Sequence, residues 1–133
     1  MKSAPGPRMA IAKVLLVDDD PNVRKLAKMS LERVGHWQVA VAESGAEAMA
    51  IVVAEKPDVI LLDMMMPGMD GTMILSQLKQ LNEIADVPVI FLTAKVQMHE
   101  IEEYLSSGAA GVITKPFDPL LLPKQIAEIV SPN

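Results

Sequence analysis

The chain has 133 residues, a formal net charge of −5 and a composition that is 50% hydrophobic, which suits one compact domain with a buried core and excludes extended disorder. Cysteine is absent, so disulfides and thiolate metal sites are excluded. No apolar run approaches the ~20 residues of a membrane span, and no Lys/Arg cluster supplies the counterion-releasing surface of a nucleic-acid binder.

Residues 1–10 carry Lys2 and Arg8 but no apolar central stretch, so they do not read as a signal peptide. Pro5, Gly6 and Pro7 make this stretch a loose tail, and the folded domain is expected over 11–133. Val14-Leu15-Leu16-Val17 is the first continuous apolar run. Asp20-Pro21 then reads as an N-cap and first helical residue, with Val23, Leu26, Ala27, Leu31 and Val34 on one face and Gly35 as the stop. Val39-Ala40-Val41-Ala42 is a weaker strand. Ser44 and Glu47 match a capping box ahead of Ala48, Met49, Ile51 and Val52, with Pro57 beyond. Val59-Ile60-Leu61-Leu62 is the third run, followed by a helix capped by Asp70 and carrying Ile74, Leu75, Leu78 and Leu81. Pro88 precedes Val89-Ile90-Phe91-Leu92, where a strand tolerates it. A fourth helix is expected over 97–107, with Ile101, Tyr104 and Leu105 inward and Gly108 as the stop. Val112-Ile113 is the last strand, and the final helix begins near Pro123 after a turn over 118–122, turning Ile126, Ile129 and Val130 inward.

Continuous rather than alternating apolar runs suit parallel strands covered on both faces. Strand and helix alternate along the whole chain with short connections, which is the pattern of an open α/β sheet. In such sheets, sites form outside the carboxyl ends of the strands. There this chain supplies Asp18, Asp19 and Asp20 after the first run, Asp63 after the third, Thr93 after the fourth and Lys115 after the fifth. Singly, each has a plain explanation as a cap, a turn or a surface residue; their shared edge is the signal. Asp18, Asp19 and Asp63 repel when brought together and need compensation at neutral pH. A hard divalent cation with oxygen ligands supplies it. Mg²⁺ is the natural choice, because it takes a few carboxylates and keeps waters that a phosphate can replace. Lys115 adds a movable positive charge and Thr93 a hydroxyl donor. A carboxylate nucleophile, a metal and a cation are the equipment of phosphoryl transfer.

The chain resembles the receiver domains of two-component response regulators over about Lys13 to Val130. The resemblance rests on Leu15-Leu16-Val17-Asp18-Asp19-Asp20-Pro21, on Leu61-Leu62-Asp63-Met64-Met65-Met66-Pro67-Gly68-Met69-Asp70-Gly71, on Phe91-Leu92-Thr93-Ala94, and on Gly108-Ala109-Ala110-Gly111 leading to Lys115-Pro116-Phe117. It implies a flavodoxin-like, doubly wound (βα)5 fold with a five-stranded parallel sheet in the order 2-1-3-4-5. It implies that Asp63 is the phosphoacceptor and that Mg²⁺, or Mn²⁺ in its place, is bound by Asp19 directly, by Asp18 mainly through water, by Asp63 and by the Met65 carbonyl. It implies that Thr93 and the Ala94 N–H close on the phosphoryl group, that Lys115 pairs with Asp63 and then with the phosphate, and that the Lys115-Pro116 bond is cis. Gly68 and Gly71 fit a tight loop with unusual backbone angles. The implied donor is a phosphohistidine on a histidine kinase or phosphotransfer protein. The phosphorylated state would change the surface of the fourth helix and fifth strand, read by a downstream protein or a detached output domain. Met65 and Lys95 border the expected approach of hydrolytic water.

One position departs from the family pattern. Many receivers carry Tyr or Phe where this chain has Val112, which cannot make the same large rotation. Coupling is therefore expected through backbone shifts over 94–96. The chain ends at Asn133, which resembles stand-alone members, and a cytoplasmic monomer or weak dimer is expected. The competing enzyme reading is a haloacid-dehalogenase-like phosphatase using Asp18 and Asp20, which would leave Asp63 without a task. A module that has lost phosphorylation is opposed by the complete set of Asp18, Asp19, Asp63, Thr93 and Lys115, and a nucleotide-binding fold by the lack of a glycine-rich loop after the first strand.

Overall fold

Each continuous apolar run forms a strand, because a strand sealed on both faces must be apolar at successive positions. The structure is a computed structural model that describes residues 10–68, 70–82, 84–94 and 97–131. In chain order the elements are β1 (Lys13–Val17), α1 (Pro21–Arg33), β2 (Gln38–Ala42), α2 (Gly45–Glu55), β3 (Val59–Asp63), α3 (Gly71–Lys79), β4 (Val89–Thr93), α4 (Met98–Ser106), β5 (Gly111–Thr114) and α5 (Leu122–Val130). The strands form one parallel sheet in the order β2-β1-β3-β4-β5. The tail expected over 1–10 lies outside the described residues apart from Ala10.

Alternate strand residues feed two cores. Leu15, Val17, Ile60, Leu62 and Phe91 pack with Ala48, Val52, Ile74, Leu75 and Leu78 on one face. Val14, Leu16, Leu61, Ile90 and Leu92 pack with Ala27, Leu31, Leu122 and Ile126 on the other. A fully buried Leu or Ile contributes roughly 2 kcal/mol, so these layers fix the sheet that carries the strand ends.

The helix starts follow the local signals. Asp20 caps α1 by accepting the Asn22 N–H, and Asp70 caps α3 by accepting the Thr72 N–H. Ser44 accepts the Glu47 N–H, but the Glu47 carboxylate reaches back to the Glu43 N–H, one residue beyond the expected capping-box partner. The turn before α5 forms as expected, with the Asp118 carbonyl accepting from Leu121 and Leu122. Gly68 has a φ of +70°, as a tight loop requires. Gly71 does not; a Cβ there would collide with the Met64 thioether, so its role is close packing.

Three inward assignments are corrected. Leu26, Val34 and Leu105 are exposed, while Ser30 is buried on α1. Ser30 occupies a core position because its hydroxyl donates to the Pro119 carbonyl. α4 contains no buried residue and no side-chain N-cap bond. It rests on partly buried Ile101 and Tyr104, so it has the least apolar anchorage of the helices.

Candidate functional site

Parallel pairing brings the carboxyl ends of β1, β3, β4 and β5 side by side. Pairing of Val17 with Leu62, Asp63 with Leu92 and Thr93 with Thr114 aligns the residues that follow. Asp18, Asp19 and Asp63 each turn a carboxylate oxygen into one place, all within 4.8 Å of one another. Asp18 and Asp63 are buried, whereas Asp19 is exposed at the mouth.

Lys115, from the loop after β5, reaches between the buried pair. Its Nζ lies 2.9 Å from Asp18 Oδ2 and 3.1 Å from Asp63 Oδ1. Asp63 Oδ1 also accepts the Met65 N–H at 2.9 Å, and Asp18 Oδ1 accepts the Asp20 N–H at 2.9 Å. Burial pushes the Asp18 carboxyl above its ordinary value, and the charge of Asp63 adds to this; the Asp20 N–H and Lys115 only partly offset it. For Lys115, burial pulls the ammonium down, but hydrogen bonds and charges from Asp18 and Asp63 outweigh it and raise the group above its ordinary value. Lys115 is therefore charged at neutral pH, yet among the described residues it is the one cation paired with these carboxylates, against three of them.

This donor set suits a hard cation. Oxygens only, two of them buried and one at the mouth, leave an octahedral ion open positions toward solvent. Asp18, Asp19, Asp63 and the Met65 carbonyl are the groups that could hold it.

Thr93 is the buried last residue of β4, and its carbonyl accepts the Lys115 N–H at 2.9 Å, tying the two strand ends together. Ala94 is exposed beside Lys115 and Pro116, and the Lys115–Pro116 bond is cis. Lys95 and Val96, and with them the expected coupling segment and one border of the water approach, lie outside the described residues. Val112 is half-buried opposite Phe91. The aromatic ring nearby comes instead from α4, where Tyr104 stands edge-on to Phe91 with centroids 5.4 Å apart.

The Asp18/Asp20 pairing required by a phosphatase of the dehalogenase type does not form. Asp20 is exposed, and its carboxylate is committed to capping α1. Sequence reasoning missed Arg24, whose Nη1 donates to the Asp18 carbonyl at 2.9 Å and whose Nη2 lies 3.4 Å from Glu43 Oε2. A cation in the first turns of a helix that starts beside an acidic pair was the available signal.

The family profile described as Response regulator receiver domain matches residues 14–127. Protein PilH of Pseudomonas aeruginosa is 37% identical over 121 residues, covering 91% of this chain and 99% of that protein. The phosphate regulon transcriptional regulatory protein PhoB of the same organism is 40% identical, covering 80% of this chain but 46% of its own length. The chain thus spans about half the length of such longer regulators. The chemotaxis response regulator CheY4 of Vibrio cholerae superposes with a TM-score of 0.83 at 31% identity, covering 90% of this chain and 99% of that one. No helix among the described residues is long and apolar enough to cross a membrane. A profile match over most of the chain, a shared strand order and an acidic pocket at the shared sheet edge lead to one conclusion: the chain belongs to the receiver-domain family of two-component response regulators and is a phosphorelay signalling switch.

Proposed function

We propose that Asp63 accepts a phosphoryl group from the phosphohistidine of a histidine kinase or phosphotransfer protein, in a reaction that this domain's own acidic pocket catalyses. The observation that carries this reading is the convergence of Asp18, Asp19 and Asp63 on one cation-sized place, with Lys115 Nζ between the buried pair. The contacts on Asp63 fall on Oδ1, which makes Oδ2 the oxygen placed to attack. An O–P bond forms as the P–N bond to the imidazole breaks, and the imidazole nitrogen keeps the electron pair. Asp19, Asp63, the Met65 carbonyl and, through water, Asp18 would hold Mg²⁺ or Mn²⁺, which neutralises charge on the phosphoryl oxygens when bound. Lys115 follows the new phosphate, and Thr93 with the Ala94 N–H closes on it. Val23, Leu26, Phe117 and Pro116 line an apolar hollow of about 310 Å³ beside Lys115, a surface suited to the donor protein.

The same pocket would catalyse loss of the phosphoryl group to water, with Met65 at the approach. Phosphorylation adds nearly two negative charges at Asp63. α4 and β5 are the surface expected to change, because α4 has no buried residue to hold it. A downstream protein or an output domain would read that surface. In this reading the receiver unit would span 11–133 and work in the cytoplasm as a monomer or weak dimer.

Treatment with a small acyl phosphate and Mg²⁺ tests the chemistry. Intact mass should show one phosphoryl adduct on the parent, none after chelation and none on Asp63→Asn. An adduct that survives Asp63→Asn would overturn the assignment.

A further inference from the structure

We infer that Arg24 is a positioning residue for the metal ligand Asp19, an inference that rests on the proposed metal site. Asp19 is exposed, and its carboxylate takes no hydrogen bond from the described residues. Among the described residues nothing grips that side chain, so the backbone that carries it sets its direction into the pocket. The peptide plane leading into Asp19 consists of the Asp18 carbonyl and the Asp19 N–H. Arg24 Nη1 donates to that carbonyl at 2.9 Å. On the other side of Asp18, its own N–H donates to the Ala42 carbonyl at 3.0 Å. Both peptide planes around Asp18 are therefore held, one by β2 and the other by Arg24.

Arg24 is itself well fixed. It lies in the first turns of α1, where its N–H donates to the Asp20 carbonyl at 3.0 Å. Its side chain is 19% exposed, and its guanidinium reaches Glu43, just past β2, at 3.4 Å. Glu43 is 63% exposed, so that ion pair is a loose tether and the carbonyl bond is the tight one. The planar fork allows one guanidinium to meet a carbonyl and a carboxylate together, which a lysine ammonium on a flexible stem does less well.

Positioning and simple electrostatics predict opposite outcomes. A cation beside an acidic pocket repels a metal ion, so if only its charge mattered, Arg24→Ala would tighten Mg²⁺ binding and Arg24→Lys would change nothing. If Arg24 aims Asp19, both variants weaken binding. Outer residues that orient metal ligands affect affinity by about 10- to 100-fold. We expect the lower end, about tenfold weaker Mg²⁺ binding in Arg24→Ala, because Arg24 steadies Asp19 through a single hydrogen bond to the backbone.

The experiment is calorimetric titration of the parent, Arg24→Ala, Arg24→Lys and Glu43→Gln with Mg²⁺ alone, alongside phosphorylation by a small acyl phosphate at varied Mg²⁺. Arg24→Ala should bind Mg²⁺ most weakly, Arg24→Lys should recover part of the loss, and Glu43→Gln should lose about two- to threefold, as expected of an exposed tether. The Mg²⁺ concentration for half-maximal rate should rise, with the rate at saturating Mg²⁺ nearly kept. Unchanged or tighter binding in Arg24→Lys, which keeps the charge, would overturn the role, and this variant decides it even if Arg24→Ala fails to fold. A parent that takes up neither Mg²⁺ nor a phosphoryl group would sink the metal-site reading itself, and the positioning role with it.

Discussion

Strand β3 is bracketed by two aspartates in opposite circumstances, Asp58 just before it and Asp63 at its end. Asp58 Oδ2 accepts the N–H groups of Ala12 and Lys13 at 2.9 Å each, and the Asp58 N–H donates to the Lys13 carbonyl at 2.8 Å. These partners are all backbone groups, so this carboxylate staples β3 to the start of β1. Among the described residues, Asp63 receives a backbone N–H from Met65 and pairs with an ammonium on a flexible stem, and it faces two further carboxylates. Fixed donors make an aspartate structural. A movable cation and uncompensated like charge leave it available for chemistry.

The comparison breaks most readily at Asp63. Asp63→Asn should abolish the phosphoryl adduct seen by intact mass, while Asp58→Ala should keep it in full. If Asp58→Ala also lost the adduct, the two ends of β3 would not differ as argued.

Next in size is Lys115→Met. It leaves Asp18 and Asp63 buried without their cation, and removing one partner of a buried ion pair is strongly destabilising. Urea unfolding in metal-free buffer at pH 7 should show a loss of about 3 kcal/mol, and Mg²⁺ should restore part of it. A loss that ignores Mg²⁺ would mean that Lys115 acts through packing rather than charge.

Asp58→Ala should lose less, about 1–2 kcal/mol for the backbone bonds to a partly exposed carboxylate. That loss should be the same with and without Mg²⁺, which sharpens the contrast with Lys115→Met.

The smallest effect is in pH. Asp18 binds its proton more tightly in the fold than in the unfolded chain, where the carboxylate has its ordinary value of 3.8. Between that value and the raised one the folded state holds more protons, so this group's contribution to stability falls as pH rises across the window. Asp18→Asn should therefore be more stable than the parent at pH 7 in metal-free buffer, and the difference should vanish below the ordinary carboxylate range. Thermal melts at a series of pH values measure it; a parent more stable than Asp18→Asn at pH 7 would contradict the assigned direction.

Much of the fold was legible because the signals are local. The apolar runs at Val14, Val59 and Val89, and the caps at Asp20, Ser44 and Asp70, depend on near neighbours in the chain, and all became the elements they suggested. The candidate site residues were legible because each ends an apolar run or stands just beyond one, and parallel strands must end on one edge. Helical spacing marked a face on α1 and α4 but not how deeply the sheet covers it. Leu26, Val34 and Leu105 are accordingly exposed, while Ser30 is buried against a carbonyl 89 residues away.

By itself, the sequence determined the alternation of elements, the sheet edge that bears the chemistry and the residue types available there, since periodicity and capping act over a few residues. Only the tertiary structure decided that Asp18 lies buried under Lys115 while its neighbour Asp19 faces the mouth, that Arg24 holds the peptide between them, and that an aromatic ring reaches Phe91 from α4. Those outcomes depend on which distant surfaces pack together, and burial and charge compensation act between residues that the chain itself keeps far apart.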